Sequence, residues 1–439
     1  MKSECGLPAD VLIVGGGFSG TALAAQLARR GLSATIVEGS GRAGRGTAYS
    51  TEDEAHLLNV PAAKMGAGEG LEDFAEVLAG EGYAPTDFVP RRRYGAYLAQ
   101  QLERSGAKLI DATATSVEWT GGQWRLALDD GRSVEGRALA LAQGNAPPPS
   151  LAVAKGLPEA MFVADPWSEA GREAIGKAAA SAGPLLLVGT GLTMVDVALS
   201  LDRLGFGGKM VALSRRGLIP RAHQAFEPAP LELEEVPGGS ILALSRWLRA
   251  RSTAVGWRAA VDSLRPHSQT VWQTFSTSEQ RRFLRHARPW WDVHRHRIAP
   301  QVASRIEMMI EGGRLEIGAG RLTALREEGG RLTAIIARRR GTQETIHAAM
   351  AVNCTGPLGD IRRSADGVTN SLFDAGLARP DPLGIAVEVD AYSRVTAAPR
   401  AWAIGPMAKG KFWEITAVPD IRVQAAAVAD DMMRELGNG

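Results

Sequence analysis

Cysteine is scarce: the 439 residues include only Cys5 and Cys354. They form no C-x-x-C, which excludes a redox dithiol and a thiolate zinc site. A single Cys5–Cys354 disulfide stays open as an alternative, but so little cysteine suits a reducing compartment better. Long apolar runs are missing too. No stretch approaches the roughly 18 residues that a membrane helix needs. The first apolar run is short and breaks into glycines, unlike a signal peptide. Charge of either sign is not in excess. The net charge of +2 and the lack of a basic tail give nucleic acid nothing to hold. These absences leave a cytoplasmic, globular protein with no membrane or nucleic-acid partner, and the length suits two or three domains.

What is present begins with Val11-Leu12-Ile13-Val14-Gly15-Gly16-Gly17-Phe18-Ser19-Gly20. Four apolar residues read as a buried parallel strand, and a helical pattern over 21–30 follows the G-x-G-x-x-G of Gly15, Gly17 and Gly20. The first glycine permits a tight turn, the second lets backbone approach a pyrophosphate, and the third lets helix and strand pack closely. Phosphates then sit at the helix N-terminus. A second strand, 34–37, ends at Glu38, where a carboxylate takes ribose hydroxyls. This context predicts a dinucleotide site. The loop 39–49 adds glycines and Arg42 and Arg45, which can reach phosphate or ribose. Thr51 to Glu54 has capping-box spacing, and Asn59 is either a turn former or a ligand-facing group.

Two helical patches over 71–102 precede three short strands, near 116–119, 124–128 and 132–135, with glycine turns between them. They feed a separate apolar strand, 138–142, which runs into Gly144 and a proline series. The plan then repeats. A buried strand, 185–188, enters a second glycine turn with Gly189, Gly191 and Thr193, and Met194 stands where the third glycine would. A strand over 209–213 ends in Ser214-Arg215-Arg216. Strands over 321–325, 332–338 and 345–352 form a second meander ending at Gly356. From Gly15 to Gly144 is 129 positions, and from Gly189 to Gly356 is 167. A duplicated nucleotide-binding module with an insertion is expected: an α/β fold of two Rossmann-like domains, each with a β-meander. Boundaries follow at 1–150 with 353–439, 151–220 with 301–352, and an insert at 221–300.

That insert reads as mostly helical and holds five of the ten tryptophans. A helix is expected from 241 to 251, another from the Ser276-x-x-Glu279 box to Pro289, and a third from Pro300 to Glu311. The last segment offers a strand, 401–404, into Gly405, then Trp413-Glu414-Ile415-Thr416 and a helix with Asp420 as its N-cap. A helix N-terminus there can stabilise charge on a reduced flavin ring.

These motifs resemble those of the two-dinucleotide-binding-domain flavoproteins, and among them the bacterial FAD/NAD(P)-binding proteins of the YdhS type. The resembling pieces are V-G-G-G-F-S-G, H-L-L-N-V-P-A, V-G-T-G-L-T-M-V-D, S-R-R-G-L-I-P-R-A-H, R-P-W-W-D-V-H-R-H-R, C-T-G-P and F-W-E-I-T-A-V-P-D-I-R, in order over nearly the whole chain. The resemblance implies FAD on the first module and a nicotinamide cofactor on the second, with kinship to amino-acid N-hydroxylating monooxygenases. It places Asn59, Trp413, Glu414 and Thr416 near the flavin. The Baeyer–Villiger pattern F-x-G-x-x-x-H-x-x-x-W is absent, and the family's carboxylate near the ribityl chain is here Pro406.

Ser214 stands where an NAD site offers an acid, and Arg215 and Arg216 follow, so NADPH is expected over NADH. Hydride passes from NADPH to the flavin, and the protein supplies position and electrostatics. Without a dithiol, oxygen is the favoured acceptor. A C4a-peroxyflavin would then hydroxylate a small substrate, such as an amine or amino acid. A reductase or oxidase that releases peroxide, and a flavin-binding sensor without turnover, are the alternatives. No catalytic side chain can be named, and His294-x-His296 lacks the ligand set of a metal site. Trp290, Trp291 and His294 are candidate substrate contacts in the stretch 288–297, which reads either as core tryptophans with a wet cationic face or as a pocket wall whose cations could hold a substrate carboxylate.

Overall fold

Two sheets, one mixed and one parallel, each entered by a strand and a glycine turn, carry the two halves of the chain. The computed structural model describes residues 9–437 apart from 69, 71, 72, 182, 339, 340, 358, 364 and 365. Cys5 lies outside the described residues, and Cys354 is a buried free thiol. In chain order the first strands are β1 (Ala9–Val14), β2 (Ala34–Val37), β3 (Lys108–Ile110), β4 (Ala114–Thr120), β5 (Gln123–Leu128) and β6 (Ser133–Leu141). They are followed by β7 (Phe162–Val163), β8 (Leu185–Val188), β9 (Met210–Ser214) and β10 (Leu315–Ala319). Last come β11 (Arg321–Glu328), β12 (Arg331–Ala337), β13 (Gln343–Ala348), β14 (Met350–Asn353) and β15 (Ala401–Ala403).

The first sheet has the order β3-β2-β1-β6-β5-β4, with β15 also on β6. Period-2 alternation sends Val11 and Ile13 to one face and Leu12 and Val14 to the other. The first face packs under the helices Phe18–Arg29, Arg91–Arg104 and Val418–Gly437. The opposite face packs against Val368 and Leu372 of the helix Gly367–Asp374. Both faces are covered, which is why these strands read as unbroken apolar runs. The second sheet is the parallel series β10-β9-β8-β14-β7, and β11-β12-β13 form a third, antiparallel sheet. Leu185 and Leu187 face the helices Leu192–Arg203 and Pro300–Glu311. Leu186 and Val188 face Leu332, Ala334 and Ile336 of the antiparallel sheet. The mixed α/β architecture of two Rossmann-like units is therefore present, as the repeated motifs predict.

The meanders differ from expectation, in opposite directions. In the first module the third meander strand and the strand into Gly144 are one. β6 pairs antiparallel with β5 through Ser133–Gly136 and parallel with β1 through Gly136–Leu141. In the second module the expected strand 345–352 is two: β13 pairs with β12, and the chain turns at Ala349 into β14 beside β8. Strands β3, β7 and β10 were not foreseen. They are edge strands of two to five residues, too short for periodicity to show.

Other local readings shift for identifiable reasons. Thr51 opens no helix: its hydroxyl bonds His56 Nδ1 at 2.8 Å and accepts Asp53 N–H at 3.2 Å, making a turn. Ser276 does cap the helix Thr277–Arg282, with its Oγ accepting Glu279 N–H, but Pro289 ends nothing. It occupies the first turn of the next helix, Arg288–Arg295, where proline's missing N–H costs no bond. The Glu279 carboxylate accepts Ile241 N–H instead of returning to Ser276. Asp420 lies within the first turn of its helix, which begins two residues earlier at Val418.

The insert has a core of its own, with Trp272, Phe275 and Phe283 at its centre. Its two ends are pinned together by a backbone bridge between Ala222 and Ile298. The modules are locked by a bidentate ion pair: Arg91 donates to both oxygens of Asp196 at 2.8 and 3.0 Å. Beside it, His56 Nε2 donates to the Asp196 carbonyl at 3.0 Å. No described helix is long and apolar enough to cross a membrane.

Candidate functional site

The first glycine turn is a cradle that leaves no room for a side chain at Gly15, Gly16 or Gly20. A Cβ on Gly15 would stand 2.6 Å from the Ala142 carbonyl, and one on Gly20 would stand 2.1 Å from the Gly15 carbonyl. Gly15 has φ +100°, a left-handed conformation that glycine alone adopts cheaply. Phe18 and Ser19 are buried in the first turn of the helix that follows. Glu38, at the end of β2, accepts the Gly16 N–H at 2.8 Å and the Ser40 N–H at 2.8 Å. Its carboxylate is thus fixed beside the glycine loop, where ribose hydroxyls of a dinucleotide are taken. Gly405 closes the cradle from the far side: its φ is +64°, and a Cβ there would meet Ser19 Oγ at 2.3 Å. These features fit a dinucleotide.

The remaining expected residues of this module are spread more widely. Gly144, with φ +75° and open space around it, turns the chain out of β6. Arg45 lies half-exposed 3.6 Å from Glu52, so it is a surface cation at the loop's rim. Asn59 acts through its backbone, its carbonyl accepting from His223 Nε2 at 2.9 Å. Burial, helped by the Arg297 cation, draws His223 down to about 4 and keeps it neutral.

The second glycine turn is built alike but stands open. A Cβ on Gly189 would lie 2.2 Å from the Cys354 carbonyl, whereas Gly191 has nothing within 4 Å. Met194 fills the third glycine position and is fully buried. Ser214, at the end of β9, shares a hydrogen bond with Thr190 at 2.8 Å and accepts Gly217 N–H at 3.0 Å. That turn leaves Arg215 and Arg216 beyond the sheet edge, and both line the cavity described next.

A single cavity of about 570 Å³ joins this turn to the end of the chain. Gly189, Gly191, Thr193, Arg215 and Arg216 form one wall, and Trp413, Glu414 and Thr416 another. Residues more than 190 positions apart in sequence thus share one space. Gly15, Gly17, Phe18, Ser19, Gly20, Glu38, Arg45, Asn59, Gly144 and Gly405 are not in its wall. The insert supplies the roof through Arg288, Pro289, Asp292, Val293 and His296. Their spacing is one face of a helix. Trp290, Trp291 and His294 lie on the other side of that helix and do not line the cavity. Trp290 is half-exposed, and His294 Nδ1 bonds the Trp290 carbonyl at 2.7 Å with its ring against Trp257. Trp291 acts at one remove, donating its indole N–H to Glu414 Oε1 at 2.5 Å.

Glu414 is also approached by Arg295 at 3.3 Å and His296 at 3.5 Å, and its φ is +66°. A non-glycine residue in that conformation is held there by its surroundings. Asp292 pairs with Arg288 at 3.1 Å. Burial raises the Asp292 carboxyl above its usual range and lowers the His296 imidazole below its own. Sequence reasoning weighed the stretch 288–297 as a pocket wall without separating out Arg288, Asp292 and His296, and it missed Asn145 and Lys409. The first three show a stripe at i, i+4 and i+8 that could have found them.

The comparisons with known proteins agree with this architecture. Residues 12–146 match a domain family described as FAD-NAD(P)-binding. No curated protein matches the chain. Among solved structures, an L-lysine 6-monooxygenase from Pseudomonas syringae is 15% identical, with a TM-score of 0.69 over 97% of this chain and 99% of that one. An ornithine hydroxylase from Pseudomonas aeruginosa is 14% identical, with a TM-score of 0.68 over 98% and 100%. A bacillithiol disulfide reductase from Staphylococcus aureus is 13% identical, with a TM-score of 0.61 over 97% and 98%. The fold is that of flavoproteins with two dinucleotide-binding domains, and the match to the FAD-NAD(P)-binding domain family falls on the first module.

Proposed function

We propose that this protein is an FAD- and NADPH-dependent monooxygenase of a small amine or amino acid. FAD would lie in the Gly15–Gly20 cradle with its ribose on Glu38, and NADPH on the Gly189–Thr193 turn with its 2′-phosphate on Arg215 and Arg216. The expected boundaries follow: 1–150 with 353–439 for FAD, 151–220 with 301–352 for NADPH, and the insert 221–300 as roof. The observation that carries the reading is the shared cavity. It unites the second glycine turn with Trp413, Glu414 and Thr416, the segment that the flavoprotein resemblance places at the flavin.

When bound, FAD accepts hydride from NADPH and passes electrons to oxygen. The chain's own residues bind and position. Arg215 and Arg216 are free to take a phosphate, being exposed or half-buried with no ion pair among the described residues. The monooxygenases among the structural neighbours support this branch, and the missing C-x-x-C weakens the disulfide-reductase branch.

The test is anaerobic mixing of the purified protein with NADPH and, separately, NADH, followed by oxygen. Bleaching of the flavin by NADPH, then a lasting oxygenated-flavin spectrum, is the expected result. Direct reoxidation with peroxide release would assign a reductase or oxidase instead. No bleaching by either nucleotide would overturn the two-cofactor reading.

A further inference from the structure

One buried lysine stands where the chain passes between the modules. Lys409 follows the turn Gly405–Ala408 and is only 9% exposed, yet it lines the cavity. Its Nζ lies 3.4 Å from Asn145 Oδ1, beyond β6, and 3.4 Å from the Pro357 carbonyl, beyond β14. Both contacts are at the long limit of a hydrogen bond, and an ammonium has three protons to place. It makes no ion pair among the described residues.

The groups facing it answer its charge only in part. Arg288 of the insert helix repels it, and Asp381 is the acid that attracts it. The Asp381 carboxylate accepts the N–H groups of Leu383, Ile385 and Ala386 at 2.9, 2.7 and 2.8 Å and forms no ion pair with the lysine. Elsewhere in the wall, Glu414 is held by Trp291 and Arg295, Asp292 by Arg288, and His296 is pushed toward its neutral form by burial. Burial, with Arg288, brings Lys409 down to about 8, so it is still charged at neutral pH. With two long contacts for three protons the ammonium is under-satisfied, and a buried donor left so costs stability unless a ligand completes it.

We propose that Lys409 is the seat for a carboxylate, so that the cavity takes carboxylate-bearing substrates in preference to neutral ones. This rests on reading the cavity as the oxidoreductase's substrate space. Lys409 is a binding residue here and takes no part in moving electrons.

The test is calorimetric titration of the FAD-loaded protein with benzoate, acetate and the neutral isostere benzamide. Wild type, Lys409→Met and Lys409→Arg are compared at about pH 7, and wild type again at about pH 9.5. The expected result is benzoate binding at least about tenfold tighter than benzamide, lost in Lys409→Met and kept within a few-fold in Lys409→Arg. In wild type, raising the pH through about 8 should weaken benzoate more than about tenfold and leave benzamide unchanged. If Lys409→Met does not fold, the wild-type pH dependence decides alone. Binding of neither carboxylate, equal affinity for benzoate and benzamide, or unchanged benzoate affinity in Lys409→Met would each overturn the seat. So would a folded Lys409→Met protein that no longer holds FAD, because the lysine would then serve the flavin. The outcome is separable from the proposed function: failure of NADPH to reduce the flavin sinks that function and leaves the carboxylate preference as measured.

Discussion

Trp291 donates its indole N–H to the Glu414 carboxylate at 2.5 Å, across 123 residues of chain. The bond fastens the helical insert to the segment that closes the first module, and it holds Glu414 in its left-handed conformation. A hydrogen bond to a charged acceptor is worth roughly 1.5–3 kcal/mol when the charge is left buried without it. Trp291→Phe should therefore lower the unfolding midpoint. In a double-mutant cycle with Glu414→Ala, which removes the acceptor, the coupling should exceed about 0.5 kcal/mol. Additive effects would show that the bond contributes nothing.

Gly20→Ala places a Cβ against the Gly15 carbonyl, a backbone atom that cannot rotate away. Overpacking of this kind costs roughly 1–3 kcal/mol. The purified variant should carry less FAD than wild type, measured as flavin absorbance per protein. Gly191→Ala, with nothing within 4 Å of its Cβ, should keep its FAD and lose affinity for NADPH. Equal FAD content in all three proteins would contradict the assignment of the two turns.

Removing both Arg215 and Arg216 to alanine should weaken NADPH by about tenfold or more per lost charge-assisted bond and leave NADH nearly unchanged. The dependence of the anaerobic flavin reduction rate on nucleotide concentration reads this directly. Parallel loss with both nucleotides would place the 2′-phosphate elsewhere.

His223 titrates at about 4 in the folded chain, because burial disfavours its charged form. The unfolded chain binds that proton nearer 6.5, so between those values it takes up more protons than the folded one. Stability attributable to His223 is therefore full above about 6.5 and is lost as the pH falls toward 4. His223→Gln keeps a side-chain N–H for the Asn59 carbonyl and cannot titrate. Its melting temperature should fall less steeply than wild type over that acid range. Parallel curves would remove His223 from the account.

The glycine turns and the strands behind them were legible because Gly15, Gly20 and Gly189 answer steric demands that leave few other residues. Arg215 and Arg216 were legible because position at the end of β9 decides what they can reach. The insert helix was legible as unusual but not in its orientation. Trp290 and His294 drew attention by residue type, while the cavity is faced by Arg288, Asp292 and His296, whose i, i+4, i+8 spacing was present in the sequence but unread. Lys409 gave no local signal. Its burial arises from Asn145 and Pro357, which meet it only in the folded chain.

The strand β6 is shared property between two kinds of pairing, and this sets how the first module can come apart. Its first residues belong to a hairpin ladder and its last to the parallel sheet, with Gly136 in both registers. Peeling the hairpin pulls directly on the strand beneath the glycine cradle, so meander and nucleotide sheet open together. In the second module the corner at Ala349 separates the two ladders, and the antiparallel sheet can loosen as a unit of its own. Amide exchange should find β4 and β5 as slow as β1, but β11 and β12 faster than β8. The duplicated halves, alike in plan, are one cooperative block on one side and two on the other.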